Sequence, residues 1–173
     1  LAILNCQLSE ALYKLNHNIS INITEGNGDY PIDFNFINKN LIIKNLYKRT
    51  IKSESVTINS RNMYPPRVSD LNSRFNILHS YGWEETQINQ DWIRDFNNSL
   101  QGITVMSKFV KRILIDNGFY KPIAVASLGA EHLISKGIDY YHLKSKKFKF
   151  LHISSCFPRK GIDILLEAYG QKF

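Results

Sequence analysis

The chain has 173 residues, 43% hydrophobic and 12% aromatic, which leaves room for one cored domain, or one domain and part of another. Its net charge of +7 suits an anionic partner, yet the basic residues are dispersed. Cys6 and Cys156 stand far apart without metal-ligand spacing, so neither a disulfide framework nor a zinc site is indicated, which fits a reducing compartment; no apolar run reaches the roughly 20 residues of a membrane span.

Leu4, Leu8, Ala11, Leu12 and Leu15 recur at helical spacing and predict an amphipathic helix that Asn16-His17-Asn18 ends. Ile19, Ile21 and Ile23 alternate with polar residues and read as a strand, followed by the turn Thr24–Pro31. Within Phe34–Lys52 the part around Leu41–Lys48 reads as helix. Val56-Thr57-Ile58 is a short strand, and Pro65-Pro66 hold Arg61–Arg67 away from helix. Phe75–Leu78 is the next strand, and Trp92, Ile93 and Phe96 mark a helix. Ile103–Met106 is a strand that leads to Ser107, a good N-cap for a helix with Phe109, Val110, Ile113 and Leu114 on one face and Gly118 at its close. Ile123–Ala126 is a further strand. Lys144, Lys146, Lys147 and Lys149 form the densest basic run, a solvated connector or, as the sharper alternative, a membrane-surface contact. Finally, Phe150, Leu151 and Ile153 read as a buried strand, Ser154–Lys160 as a loop, and Ile162, Leu165, Leu166 and Tyr169 as one helical face.

Short apolar strands that alternate with helices predict an α/β fold with a parallel, Rossmann-like sheet, the five strands from Ile19 to Ala126 lying in one sheet. Such sheets bind ligands where their strands end, so the residues after each strand are the candidates. His79 closes a strand; its ring either accepts a hydrogen bond from a substrate hydroxyl or is a core histidine tied to a backbone carbonyl. Glu84 and Glu85, beside Trp83, either bind hydroxyls or are acids at a helix start. Arg61 and Arg67 bracket the two prolines, placed either for a phosphate or as surface charges around a rigid loop. Gly26-Asn27-Gly28 serves a tight turn. Lys160, with Arg159 beside it, stands at the mouth of the last helix, where free N–H groups attract a phosphate.

Three stretches carry a resemblance. Arg159-Lys160-Gly161-Ile162-Asp163-Ile164-Leu165-Leu166-Glu167-Ala168-Tyr169 resembles the Lys-Gly turn and D-x-L-L-x-A-Y helix in the donor-binding half of the GT-B glycosyltransferases, in particular the family-4 retaining enzymes. The spacing from Ser107 through Gly118 and Pro122 to Gly129 is similar to that family's S…G…P…G run, and Leu8-Ser9-Glu10-Ala11-Leu12 with Asn16-His17-Asn18-Ile19 to its first helix, Asn16 standing where it has Gly. The chain departs from the family at Ser154-Ser155-Cys156, in place of Gly-Arg-Leu, and at Ala130-Glu131, in place of Val-Asp.

The resemblance implies residues 1–143 as most of an acceptor-side domain and 146–173 as the start of a donor-binding domain, truncated at both ends. It implies transfer of a sugar from a nucleotide-diphosphate donor to an acceptor hydroxyl with retention, without metal or other cofactor. Lys160 and Arg159 would hold the donor diphosphate, and His79 would contact donor sugar or acceptor as the catalytic candidate. Glu84, Glu85, Arg61, Gly129 and Glu131 are the expected substrate-binding residues, gathered with Lys160 around one interdomain crevice. Partners would be a nucleotide sugar and a glycan or lipid-linked acceptor, in the cytoplasm, with peripheral membrane contact and no nucleic acid. The family's Glu, seven residues, Glu pattern lies beyond Phe173, so the chain alone is expected to be inactive. A GT-B nucleotide-sugar epimerase, or another nucleotide-binding Rossmann-like enzyme, is the alternative, though no G-x-G-x-x-G occurs. A basic nucleic-acid module is the third class, with no motif in its favour.

Overall fold

The computed structural model describes residues 2–22, 34–49, 56–129 and 150–173. The chain divides into two units, Leu1–Ala130 and Glu131–Phe173. The expected division at 143–146 falls outside the described residues.

The first unit opens with helix α1, Ala2–Lys14. Asn16 ends it with a φ of +64°, and His17 N–H donates to Leu12 O at 3.1 Å. That left-handed turn is the backbone state for which glycine is the usual residue and asparagine the common substitute. The strand expected at Ile19–Ile23 does not form over residues 19–22, and Ile23 lies outside the described residues. The backbone there is engaged by a helix end instead: Ile21 N–H donates to Leu46 O at 3.2 Å, and Arg49 donates to Ile19 O at 3.3 Å.

Two short helices follow, α2 at Phe34–Lys39 and α3 at Leu41–Lys48. The second has the extent expected from the sequence, because Asn40 breaks from helical geometry and its side chain accepts from Ile43 N–H at 3.1 Å. Ile43 and Leu46 form its buried face.

Four strands, β1 (Ile58–Arg61), β2 (Phe75–Tyr81), β3 (Gly102–Val105) and β4 (Ile123–Val125), make one sheet in the order β1-β2-β3-β4. Every neighbouring pair is parallel. The fold is therefore α/β with an all-parallel sheet, as the alternation of elements predicts. β1 begins two residues later than expected, since its pairing with β2 starts at Ile58 opposite Phe75. As an edge strand among the described residues it tolerates the polar sequence Ile-Asn-Ser-Arg, which carries little apolar signal.

Helix α4, Gln90–Ser99, connects β2 to β3, and α5, Lys108–Asp116, connects β3 to β4. Ser107 caps α5 by accepting from Val110 N–H at 3.2 Å, and Gly118, with a φ of +92°, follows its end. Leu78, Ile103, Val105, Phe96, Leu100 and Leu114 form the centre of the core between sheet and helices. Phe109, expected on the buried face of α5, is half exposed; Val110, Ile113 and Leu114 cover the core alone.

In the second unit a 3-10 turn, Pro158–Lys160, leads through Gly161 into helix α6, Ile162–Lys172. The strand expected at Phe150–Ile153 is absent, and these residues are exposed. No strand among the described residues pairs with them, and an extended segment gains its hydrogen bonds only from a neighbour. Phe150 rests instead against Tyr169 and Phe173 of the helix end, with ring centroids 5.8 and 6.1 Å apart.

Candidate functional site

Because all four strands run one way, the loops after Arg61, Tyr81, Val105 and Val125 share the carboxyl edge of the sheet, where α/β folds place ligands. The strand order never reverses among the described strands, so no switch-point crevice lies between them.

His79 does not close its strand, since β2 continues to Tyr81. The pairing with β3 shifts register between Leu78 and Tyr81, and Ser80 takes a φ of +50°, held by Thr104 Oγ1, which accepts from Ser80 N–H at 2.8 Å. The imidazole is buried and bonded at both nitrogens. Asn5 donates its amide N–H to Asn62 O at 3.3 Å, which leaves Asn5 Oδ1 to accept from His79 Nε2 at 2.8 Å. His79 Nδ1 then accepts from the Ser60 hydroxyl, also at 2.8 Å. Asn62 closes the ring of contacts by donating to His79 O at 2.7 Å. Burial lowers the His79 pKa to about 4, so the ring is neutral at pH 7. Of its two sequence readings, the core histidine matches this geometry in kind, tied to side chains from α1 and β1 rather than to a carbonyl. Only Ser60, on the neighbouring strand, was within reach of sequence reasoning; Asn5 is 74 positions away.

Arg61 is also engaged. Its guanidinium forms paired hydrogen bonds to Asp70 at 2.6 and 2.9 Å and donates to Arg67 O at 2.8 Å, so it closes the loop that carries Pro65 and Pro66. The nearby cation holds the Asp70 carboxyl below its ordinary pKa. A phosphate at Arg61 would have to displace a carboxylate that already matches the guanidinium fork.

Between this loop and the end of β2 the aromatic side chains meet. Trp83 stacks on Tyr81 at 6.4 Å between centroids, Trp92 meets Trp83 edge-on at 5.7 Å, and Tyr64 meets Trp92 edge-on at 6.1 Å. These contact distances leave no slot between the rings. The Tyr81 hydroxyl is buried and has no hydrogen-bond partner among the described residues; burial, then the neighbouring Tyr64, raises its pKa. Glu84 and Glu85 are exposed beyond Trp83, ahead of α4, whose N-cap is Asn89. They therefore do not occupy the first turn of that helix. Gly129 is exposed after β4, with open space where a side chain would stand. Glu131 and Gly26–Gly28 lie outside the described residues.

The second unit holds Lys160 and Arg159. Lys160 is exposed at the end of the 3-10 turn, and Gly161, with a φ of +64°, begins α6 without a side-chain cap. The leading N–H groups of α6 thus have neither an intrahelical acceptor nor a capping side chain. The Arg159 guanidinium lies over the Phe157 ring, 6.0 Å from its centroid. No three His, Cys, Asp or Glu side chains converge as a metal site among the described residues. No described helix is long and apolar enough to cross a membrane. No family model, curated protein or solved structure matches the chain.

Proposed function

We propose that this chain belongs to a retaining GT-B glycosyltransferase that uses a nucleotide-diphosphate sugar. The observation that carries the reading is the stretch from Ser107 to Gly129. The residues that match the family-4 spacing are those that shape the backbone here: Ser107 caps α5, and Gly118 turns the chain after it at positive φ. Pro122 precedes β4, which pairs parallel with β3. Asn16 adds support, since it adopts the left-handed turn that the family gives to glycine.

In this reading the donor diphosphate binds at the uncapped start of α6, with Lys160 beside it. An acceptor hydroxyl, on a glycan or a lipid-linked sugar, replaces the diphosphate at the anomeric carbon with retention. The departing diphosphate gains negative charge as its bond to the sugar breaks, and a fixed ammonium stabilises that charge more in the transition state than in the ground state. Arg159, drawn over Phe157, has a secondary part, and His79 holds α1 against the sheet rather than meeting the substrate.

The test is a titration of the complete protein with UDP, GDP and ADP, followed by phosphorus NMR. One nucleotide should shift and broaden its β-phosphate resonance to saturation, and Lys160→Ala should remove the effect. Absence of saturable binding by all three would overturn the donor-site assignment. Donor epimerisation without transfer, in the complete protein, would favour the epimerase alternative.

A further inference from the structure

Ser60, His79 and Asn5 form a relay that sugar transfer does not use. Ser60 pairs with Ile77 across the β1–β2 ladder, and His79 stands two residues beyond Ile77, on the same face of the sheet. The Ser60 hydroxyl therefore reaches His79 Nδ1 at 2.8 Å, while His79 Nε2 donates to Asn5 Oδ1, also at 2.8 Å. Asn5 fixes the tautomer. Its amide N–H is committed to Asn62 O, so its oxygen faces the ring and holds the imidazole proton on Nε2. The free lone pair on Nδ1 is left aimed at the Ser60 hydroxyl proton. His79 is 8% exposed, yet Ser60 is exposed to solvent on β1. An accessible hydroxyl, a base bonded to it and a third group that orients the base are the parts of an activated nucleophile.

We propose that Ser60 is a nucleophile that takes acyl groups from activated esters, with His79 as its base and Asn5 as the positioning residue. Ser60 Oγ bonds to the acyl carbon, and the bond from that carbon to the leaving oxygen or sulfur breaks. The hydroxyl proton passes to His79 Nδ1 and then to the leaving group, so the ring returns to neutral. Water next attacks the acyl-serine ester and gives its proton to Nδ1, which returns it to Ser60 Oγ as the acid departs. Asn5 offers the imidazolium a dipole and no charge, and burial disfavours the charged ring. The base is weak for that reason, which restricts the substrate to acyl groups on good leaving groups, thioesters and aryl esters, and leaves amides unreactive. The proposal does not depend on the transferase reading.

Acetylation of the complete protein by p-nitrophenyl acetate tests it, with the reaction quenched in acid during the first turnover. Nitrophenolate should be released, and peptide mass mapping should find the acetyl group on Ser60. Ser60→Ala should abolish that adduct, and Ser60→Cys, which keeps a nucleophile at the position, should retain it. His79→Gln should slow acetylation of Ser60 by about 100-fold or more, and Asn5→Ala should slow it less, with circular dichroism checking each fold. Acetylation of Ser60 at an undiminished rate in folded Asn5→Ala or His79→Gln protein would overturn the proposal, since the hydroxyl would then be merely exposed. So would an adduct confined to lysines, or to Ser154, whose hydroxyl lies 2.7 Å from the ring of His152.

Discussion

Two stretches of the chain share one local pattern and differ in what surrounds them. Ile103–Leu114 and Leu151–Tyr169 each read as a short apolar run, a polar loop and an amphipathic helix. In the first, Ile103 is 2% exposed, Val105 and Leu114 0%. In the second, Leu151 and Ile153 are both 84% exposed and α6 buries no residue. Both helices form, because helical hydrogen bonds close within the segment. Only the first apolar run becomes a strand, since β3 has β2 on one side and β4 on the other. The pattern thus specifies the helix locally, whereas the strand is a property of its neighbours.

Substitution at matched positions should break the two stretches apart. Leu114→Ala empties a fully enclosed site and should cost about 3–5 kcal/mol, read as a fall in urea midpoint without a change in slope. Leu166→Ala, at an exposed position of α6, should change stability by less than about 0.5 kcal/mol. A comparable loss at both positions would mean that α6 is packed in solution.

pH separates the sheet from α6 in a second way. Folded His79 titrates at about 4, below its ordinary 6.5, so the unfolded chain binds the extra proton between those values. Stability from this residue is complete above about pH 6.5 and falls as pH drops toward 4, by about 3 kcal/mol in all. Urea midpoints recorded from pH 4 to 7 should show that slope, and His79→Gln should flatten it. A slope that survives the substitution would assign the effect to carboxylates instead.

The caps give a smaller contrast. Ser107→Ala removes the side chain that accepts from Val110 N–H and should cost about 1 kcal/mol. The start of α6 offers no such side chain, so its counterpart is Gly161→Ala, where the left-handed φ of +64° makes the cost one of backbone strain, about 1 kcal/mol. Helicity measured by circular dichroism on each variant checks whether the loss stays within its own helix.

The same logic explains how far the sequence could be read. Ser107, Gly118 and the Leu41–Lys48 helix were legible because caps and helical faces depend on residues within one or two turns. β1 slipped by two positions because Ile58–Arg61, at the edge of the sheet among the described residues, has one strand neighbour and keeps a polar sequence. The alternation at Ile19–Ile23 misled, since the carbonyl of Leu46 takes the N–H of Ile21 that a strand would have used. His79 was legible as a candidate by its place on β2, but its partners Asn5 and Ser60 arrive from two other elements. Arg61 read as a phosphate ligand or a surface charge because Asp70, its partner, comes back across the proline loop. Tertiary contacts of this kind leave no local trace.

The proposed catalysis rests most heavily on Lys160, and steady-state transfer by the complete protein, from a panel of nucleotide sugars, tests it most directly. Lys160→Ala should lower kcat/KM by about 100-fold or more, a loss of about 2.7 kcal/mol of transition-state stabilisation, and Lys160→Arg should recover only part of it. Transfer undiminished in a well-folded Lys160→Ala protein would contradict the account and leave Lys160 as an ordinary lysine at a helix start.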